Sequence, residues 1–391
     1  MVTFNFRDAV KKYTMVIALV VVIAIFYVGT EGRILFPQNI NNLLSQNAYV
    51  FILATGMLLC ILTGGNIDLS VGSVVCFTGG VGALMMSKGY GAIFAVLIML
   101  LVGLLVGAWQ AFWVAYINVP PFIATLAGMY AFRGLSNVVL DGRAVSISNT
   151  FFLNVFGGGA DCYIPDFIGG NNSSFNVTCM VVGVLIVIAY IVLELRGRIS
   201  ATRKGYTTTN AGGFYGKIIV LSLVILFVFY KLAGYKGIPT SLIWIMVIVL
   251  VYYYVTTKTK MGRYLYAVGG NEKATQLSGI NTKKVYFFAY ANMGLLAGLA
   301  GIVTVARAAS AQPTYGQAYE MDAIGACFIG GASAYGGTGS VFGVIIGAVL
   351  MGVINQGMSI MGVDANYQKV VKGLVLLLAV IFDVMSKREK K

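Results

Sequence analysis

A chain of 391 residues that is 59% hydrophobic and only 10% charged, with a mean hydropathy of +0.86, is built for lipid rather than for water. Its formal charge of +14 would suit a nucleic-acid binder if the basic residues formed a stripe on a soluble module; none does, and retention of basic loops on one side of a membrane explains the excess. Histidine is absent, which removes histidine-ligated metals, Ser-His-Asp hydrolysis and histidine proton relays.

Arg7, Lys11 and Lys12 precede an apolar stretch that carries no small-residue cleavage pattern, so a retained first span is expected near 14–29. Spans of about 20 apolar residues are expected next near 43–63, 70–87, 91–116 and 121–138. Between the second and third lies Gly64-Gly65-Asn66-Ile67-Asp68-Leu69-Ser70-Val71-Gly72-Ser73. Backbone freed from helix at membrane depth survives where protein or water satisfies it, so Asn66, Asp68 and Ser70 are candidates to line a path. The plainer reading, favoured by the spacing, is a tight turn in which Asp68 and Ser70 cap the following helix. Pro120 and Pro121 suit the start of the fifth span, because proline has no amide hydrogen to leave unpaired there. Arg133, near its end, either faces a cavity or snorkels or pairs.

A polar loop over 139–176 follows, with Asp141, Arg143, Asp161 and Asp166. Cys162 and Cys179 bracket part of it, and a disulfide between them is compatible with an oxidising compartment; Cys60, Cys76 and Cys327 sit in apolar runs as core residues. Spans near 177–195, 214–233, 239–256, 285–306, 318–333, 340–360 and 367–385 bring the count to twelve. With an inner amino terminus, twelve spans put eighteen of the 27 basic residues on the cytoplasmic side, in the two termini and the segments 196–217 and 257–284. Asp322 lies inside a span, again facing a cavity or a structural partner. A second glycine-rich break covers 330–340, but the phosphate-binding pattern G-x-x-x-x-G-K-[ST] occurs nowhere, so nucleotide chemistry would belong to another subunit. The inner stretch 262–280 suits a short helix over 271–278 ended by Gly279, either a docking element or a solvated connector. The expectation is an all-α polytopic membrane protein of about twelve transmembrane helices, a single permease domain over 1–391, with both termini cytoplasmic.

Four motifs, GGNIDLSVGS at 64–73, PPFIATLAGMYAFRGL at 120–135, GRYLYAVGGNEKATQLSGIN at 262–281 and SAQPTYGQAYEMDAIGACFIGGASAYGGTGSVFGVIIGAVLMGVINQGM at 310–358, closely resemble the permease subunits of bacterial ATP-binding-cassette (ABC) importers for monosaccharides, the ribose, xylose and galactose group. The resemblance implies a homodimeric channel with a ten-helix core like that of the cobalamin-importer class, to which 177–233 would add an inserted helical pair. It places Gly270, Asn271, Glu272, Ala274, Leu277, Ser278 and Gly279 in the loop that contacts the ATPase, within a cytoplasmic coupling segment 257–284; Lys273 and Thr275 stand where the pattern varies. It implies a cytoplasmic ABC ATPase that binds and hydrolyses the ATP, an extracytoplasmic sugar-binding protein, a monosaccharide cargo, a bacterial inner-membrane location, and no cofactor on this chain. The competing class is an ion-coupled secondary transporter that recruits Asp68, Glu320 and Asp322. A membrane-embedded enzyme ranks behind both, since no nucleophile-base pair is visible.

Overall fold

The computed structural model describes residues 6–157, 162–170, 175–205 and 211–388. Asp161 and Asn172 of the polar loop, and Lys390 and Lys391 of the tail, lie outside them. The first half contains α1 (Phe6–Gly29), α2 (Pro37–Gln46), α3 (Ala48–Leu62), α4 (Val71–Ser87), α5 (Ala92–Ala115), α6 (Pro121–Leu140) and the short α7 (Thr150–Phe156). The second contains α8 (Val177–Arg203), α9 (Ala211–Ala233), α10 (Thr240–Lys258), α11 (Lys260–Gly270), α12 (Glu272–Leu277), α13 (Thr282–Ala308), α14 (Tyr319–Ile329), α15 (Val341–Ile360) and α16 (Ala365–Arg388). In hydrocarbon each backbone amide must be satisfied within its own segment, which is why the apolar runs become helices. One two-residue ribbon, β1 (Val145–Ser146) against β2 (Ser310–Ala311), ties two loops together.

Seven of these helices are long and apolar enough to cross a bilayer, or eight if α2 and α3 form one span bent by 43°. The shortfall from twelve has identifiable causes. The apolar parts of α1 and α4 are short, and α16 carries Lys369, Lys372 and Asp383. The span expected over 318–333 is a helix of 11 residues, about 16 Å long against a hydrocarbon core of about 30 Å. Gly330 and Gly331 end it, with Gly331 at φ +78.

The bundle is organised around α13, 83% of whose apolar window is buried, and α15, at 72%; α8 and α9 reach only 17% each. Two G-x-x-x-G patterns explain the centre. Gly103 and Gly107 on α5 meet Gly294 and Gly298 on α13, so closely that a Cβ on Gly103 would lie 2.6 Å from the Gly294 carbonyl oxygen. Without a hydrophobic drive between helices in lipid, such close backbone approach is what holds them.

At the rim, α8 and α9 pack on each other. They are anchored at one end by Cys179, Phe229, Leu232, Ala233 and Ile238, with Ile40 and Leu44 of α2 against them. Beside that anchor Asp166 takes the amides of Gly169 at 2.9 Å, Thr178 at 3.0 Å and Val177 at 2.8 Å, and the Thr178 hydroxyl at 2.7 Å. The Gly169 amide first, then the Thr178 and Val177 donors, hold its carboxyl well below the usual carboxylate range. Cys162 and Cys179 are not bridged. The loop is closed instead by this carboxylate and by backbone bonds from Ile164 to Ile238 and from Thr240 to Cys162, both 2.9 Å.

Candidate functional site

The turn between α3 and α4 folds back on a carboxylate. Asp68, 2% exposed, accepts from the Ser70 amide at 2.8 Å and from the Ser70 hydroxyl at 2.7 Å. That bond to the amide two residues on makes an Asx turn, which shapes the approach to α4 rather than capping its first turn; Ser70 is the N-cap residue and makes no side-chain cap bond. Gln110 of α5 donates to the Ser70 hydroxyl at 2.6 Å, so the turn is pinned to the central helices. Asn66 stays local, donating to the Thr63 hydroxyl at 3.3 Å.

The second glycine-rich break lies on the first. A Cβ on Gly65 would fall on the Ala334 carbonyl, and the Gly337 amide donates to the Leu62 carbonyl at 3.1 Å. Helix α11 closes the node: Gly269 abuts both Leu62 and Gly337, and the Tyr266 hydroxyl donates to the Gly339 carbonyl at 2.9 Å. Three motifs far apart in the chain thus share one contact region.

From that node the chain passes into α12. The Asn271 side chain caps it, accepting from the Ala274 amide at 3.0 Å. Ser278 is its C-cap, and Gly279 follows at φ +81, where a side chain is strained. Thr275, 6% exposed, is its buried face, and the Tyr286 hydroxyl of α13 donates to Glu272 at 3.1 Å. Leu277 is 90% exposed, a large apolar side chain on the solvent side of a short polar helix; Gly270, Lys273, Ala274, Gln276 and Ser278 are exposed around it.

The two charges flagged inside spans have different fates. Asp322, fully buried, forms an ion pair with Lys372 of α16 at 3.0 Å and accepts from the Tyr49 hydroxyl at 2.6 Å. Arg133 donates to the Pro313 and Tyr315 carbonyls at 3.2 and 2.6 Å, clamping the segment before α14. Glu320 lies beside Gly72, within electrostatic reach of both Arg133 and Asp322. Sequence reasoning missed Lys372, although a lysine inside an apolar run is itself a signal that an acidic partner exists. Among the described residues no three His, Cys, Asp or Glu side chains cluster as a metal site.

The long apolar helices, with two interior breaks joined through α11 to the capped helix α12, fit the class of membrane permeases, and the relatives of the chain are transport permeases, a class of transport subunits rather than enzymes. The family described as the permease component of the branched-chain amino acid transport system matches residues 39–380, and the chain belongs to it. It is 36% identical over 379 residues to the xylose transport system permease protein XylH of Escherichia coli K12, covering 97% of this chain and 93% of that one. It is 37% identical over 381 residues to XylH of Haemophilus influenzae, covering 97% of each. The ribose import permease protein RbsC of Escherichia coli K12 is 38% identical over 369 residues, 94% of this chain and 92% of that one. No solved structure matches it. The chain is a multi-pass protein of the bacterial inner membrane.

Proposed function

We propose that the chain imports a monosaccharide, with the pentoses xylose and ribose foremost, as one half of a homodimer driven by a separate ABC ATPase and fed by an extracytoplasmic binding protein. The likeness to xylose and ribose permeases over nearly the whole chain supports the cargo class. The carrying observation for the drive is α12, with Leu277 bared on a helix that is seated through α11 on both interior breaks. Closure of an ATPase against α12 would reach the breaks through those contacts, the two-state arrangement that alternating access needs. The isolated chain is expected to hydrolyse no ATP, hydrolysis appearing only on assembly with ATPase subunits. In the assembled complex, Leu277→Asp, which removes an apolar interface anchor worth about 1–2 kcal/mol, and Gly279→Val, which puts a β-branched side chain at φ +81 at a cost of about 1–2 kcal/mol, are each expected to lower sugar uptake and stimulated ATP hydrolysis by about tenfold. Near-normal uptake by both variants would reduce α12 to a connector.

The reading includes twelve membrane segments with both termini inside, α14 and the loop after it together counting as one. That this count gathers eighteen of the 27 basic residues on the cytoplasmic side supports it. A cysteine placed at Ser200 or Asn281 is expected to react with an impermeant thiol reagent only from the cytoplasm, and one at Phe167, 77% exposed, only from outside. Outside labelling at Ser200 would invert the α8–α9 hairpin and reject the count.

A further inference from the structure

At the end of α13 opposite α12 there is a cavity of about 140 Å³, close to the size that accepts a six-membered ring. Gln46 and Tyr49, flanking the bend between α2 and α3, form one wall. Thr304 and Arg307 from the last turns of α13 form a second, and Tyr315 and Tyr319 a third. The Tyr49 and Tyr319 rings are stacked, centroids 3.6 Å apart and planes within 12°, and Asp322 fixes the Tyr49 hydroxyl. The segment bearing Tyr315 is bracketed by Ala309 and Ala318, both in the left-handed region at φ 49 and 62. Arg133 holds that strained segment in place.

The polar groups of the cavity are underused. Thr304 is 9% exposed; its hydroxyl faces the Tyr319 phenol without a hydrogen bond of ordinary length and angle. Arg307 is exposed and joins no ion pair among the described residues. Aromatic walls with a hydroxyl, an amide and a guanidinium suit a polyhydroxylated ring, whose C–H face lies on an aromatic surface while its hydroxyls take donors and acceptors at the edge. An α-amino acid would also need an acidic group for its ammonium. No carboxylate lines the cavity, and Asp322 behind Tyr49 is already paired with Lys372.

We propose that this cavity is a subsite that holds the ring of the monosaccharide cargo within each subunit, between delivery at the outer face and passage inward. The inference rests on the sugar-import reading above. Ala308 lines the cavity and is exposed, and all five native cysteines are buried, so Ala308→Cys in the assembled complex gives a clean site for an impermeant thiol reagent. Saturating D-xylose or D-ribose is expected to slow its labelling by about tenfold, by simple occupancy, and L-leucine to leave it unchanged. Thr304→Val in the same background is expected to weaken the protection by about two- to tenfold, the effect of one lost hydrogen bond. If Ala308→Cys assembles poorly, protection of the Tyr315 and Tyr319 fluorescence environment by D-xylose in the unsubstituted complex gives a second readout. Labelling of Ala308→Cys indifferent to sugar, in a complex whose cysteine-unmodified parent imports that sugar, overturns the subsite, as does absence of labelling from outside. A parent that imports no sugar, with leucine protecting instead, removes the cargo reading itself.

Discussion

Asp322→Asn should leave the purified protein severely destabilised, with a second change at Lys372 restoring most of the loss. The carboxylate is fully buried and sits between the Lys372 ammonium at 3.0 Å and the Tyr49 hydroxyl at 2.6 Å, tying α14 to α16 and to α3. Its other oxygen has no hydrogen bond, so the pair is not perfectly satisfied even in the native protein. Removing one member strands the Lys372 charge, 15% exposed, at a cost of about 3–5 kcal/mol for a broken buried pair. That is a large share of the roughly 5–15 kcal/mol by which proteins are stable. Replacing both members by apolar residues, as in Asp322→Leu with Lys372→Met, is near neutral in other buried pairs. A double-mutant cycle on melting temperature in one detergent separates the cases. An Asp322→Asn protein that melts like the parent would show that the pair does not hold α14. A stable double variant that couples ATP hydrolysis to uptake would also show that Asp322 carries no coupling ion.

Gly269→Ala is expected to destabilise the protein and to lower uptake by about tenfold or more, although alanine is the better helix former by about 1 kcal/mol. The added methyl would land on the Leu62 carbonyl and beside the Gly337 amide, two groups bonded to each other at 3.1 Å. Overfilling of this kind costs about 1–3 kcal/mol, and loss of the bond adds about 0.5–1.5 kcal/mol, so the tertiary effect outweighs the propensity. Its larger consequence is displacement of α11, and with it α12, from the joined breaks. The neighbouring Gly270, where an added Cβ would touch nothing within 4 Å, supplies the contrast: Gly270→Ala should leave the melting temperature unchanged. Equal melting and equal uptake by Gly269→Ala and the parent would dissolve the node as a mechanical connection.

What the chain declares openly is where it prefers lipid. Expected spans over 121–138 and 340–360 became Pro121–Leu140 and Val341–Ile360, because proline and a serine cap mark their starts as plainly as hydropathy marks their lengths. The stop at Gly279 was legible for the same reason: a left-handed residue after a short helix selects glycine. The half-length α14 was not legible, since the apolar run continues through its end and only the packing of the Gly330–Ser340 loop decides where helix gives way. Nor was the role of Arg133, whose acceptors are backbone carbonyls and leave no mark in sequence. Lys372 is fifty positions from its acid, and Thr304, Arg307, Tyr315 and Tyr319 look like ordinary interfacial residues until folding brings them round one cavity.

The crossing of α5 and α13 sets the mechanics of the longest central helix. The glycines at Gly294 and Gly298 leave α13 resting on a smooth surface near its middle, like a beam on a fulcrum. From there it runs about 21 Å to the end beside α12 and about 18 Å to the end beside the tyrosine stack, at 1.5 Å per residue. A tilt of about 10° on that support would swing both ends by about 3–4 Å in opposite senses. A push delivered at the α12 end would then reach the tyrosine end as a sideways displacement comparable to the width of a hydroxyl group, without a single intervening residue changing its helical conformation.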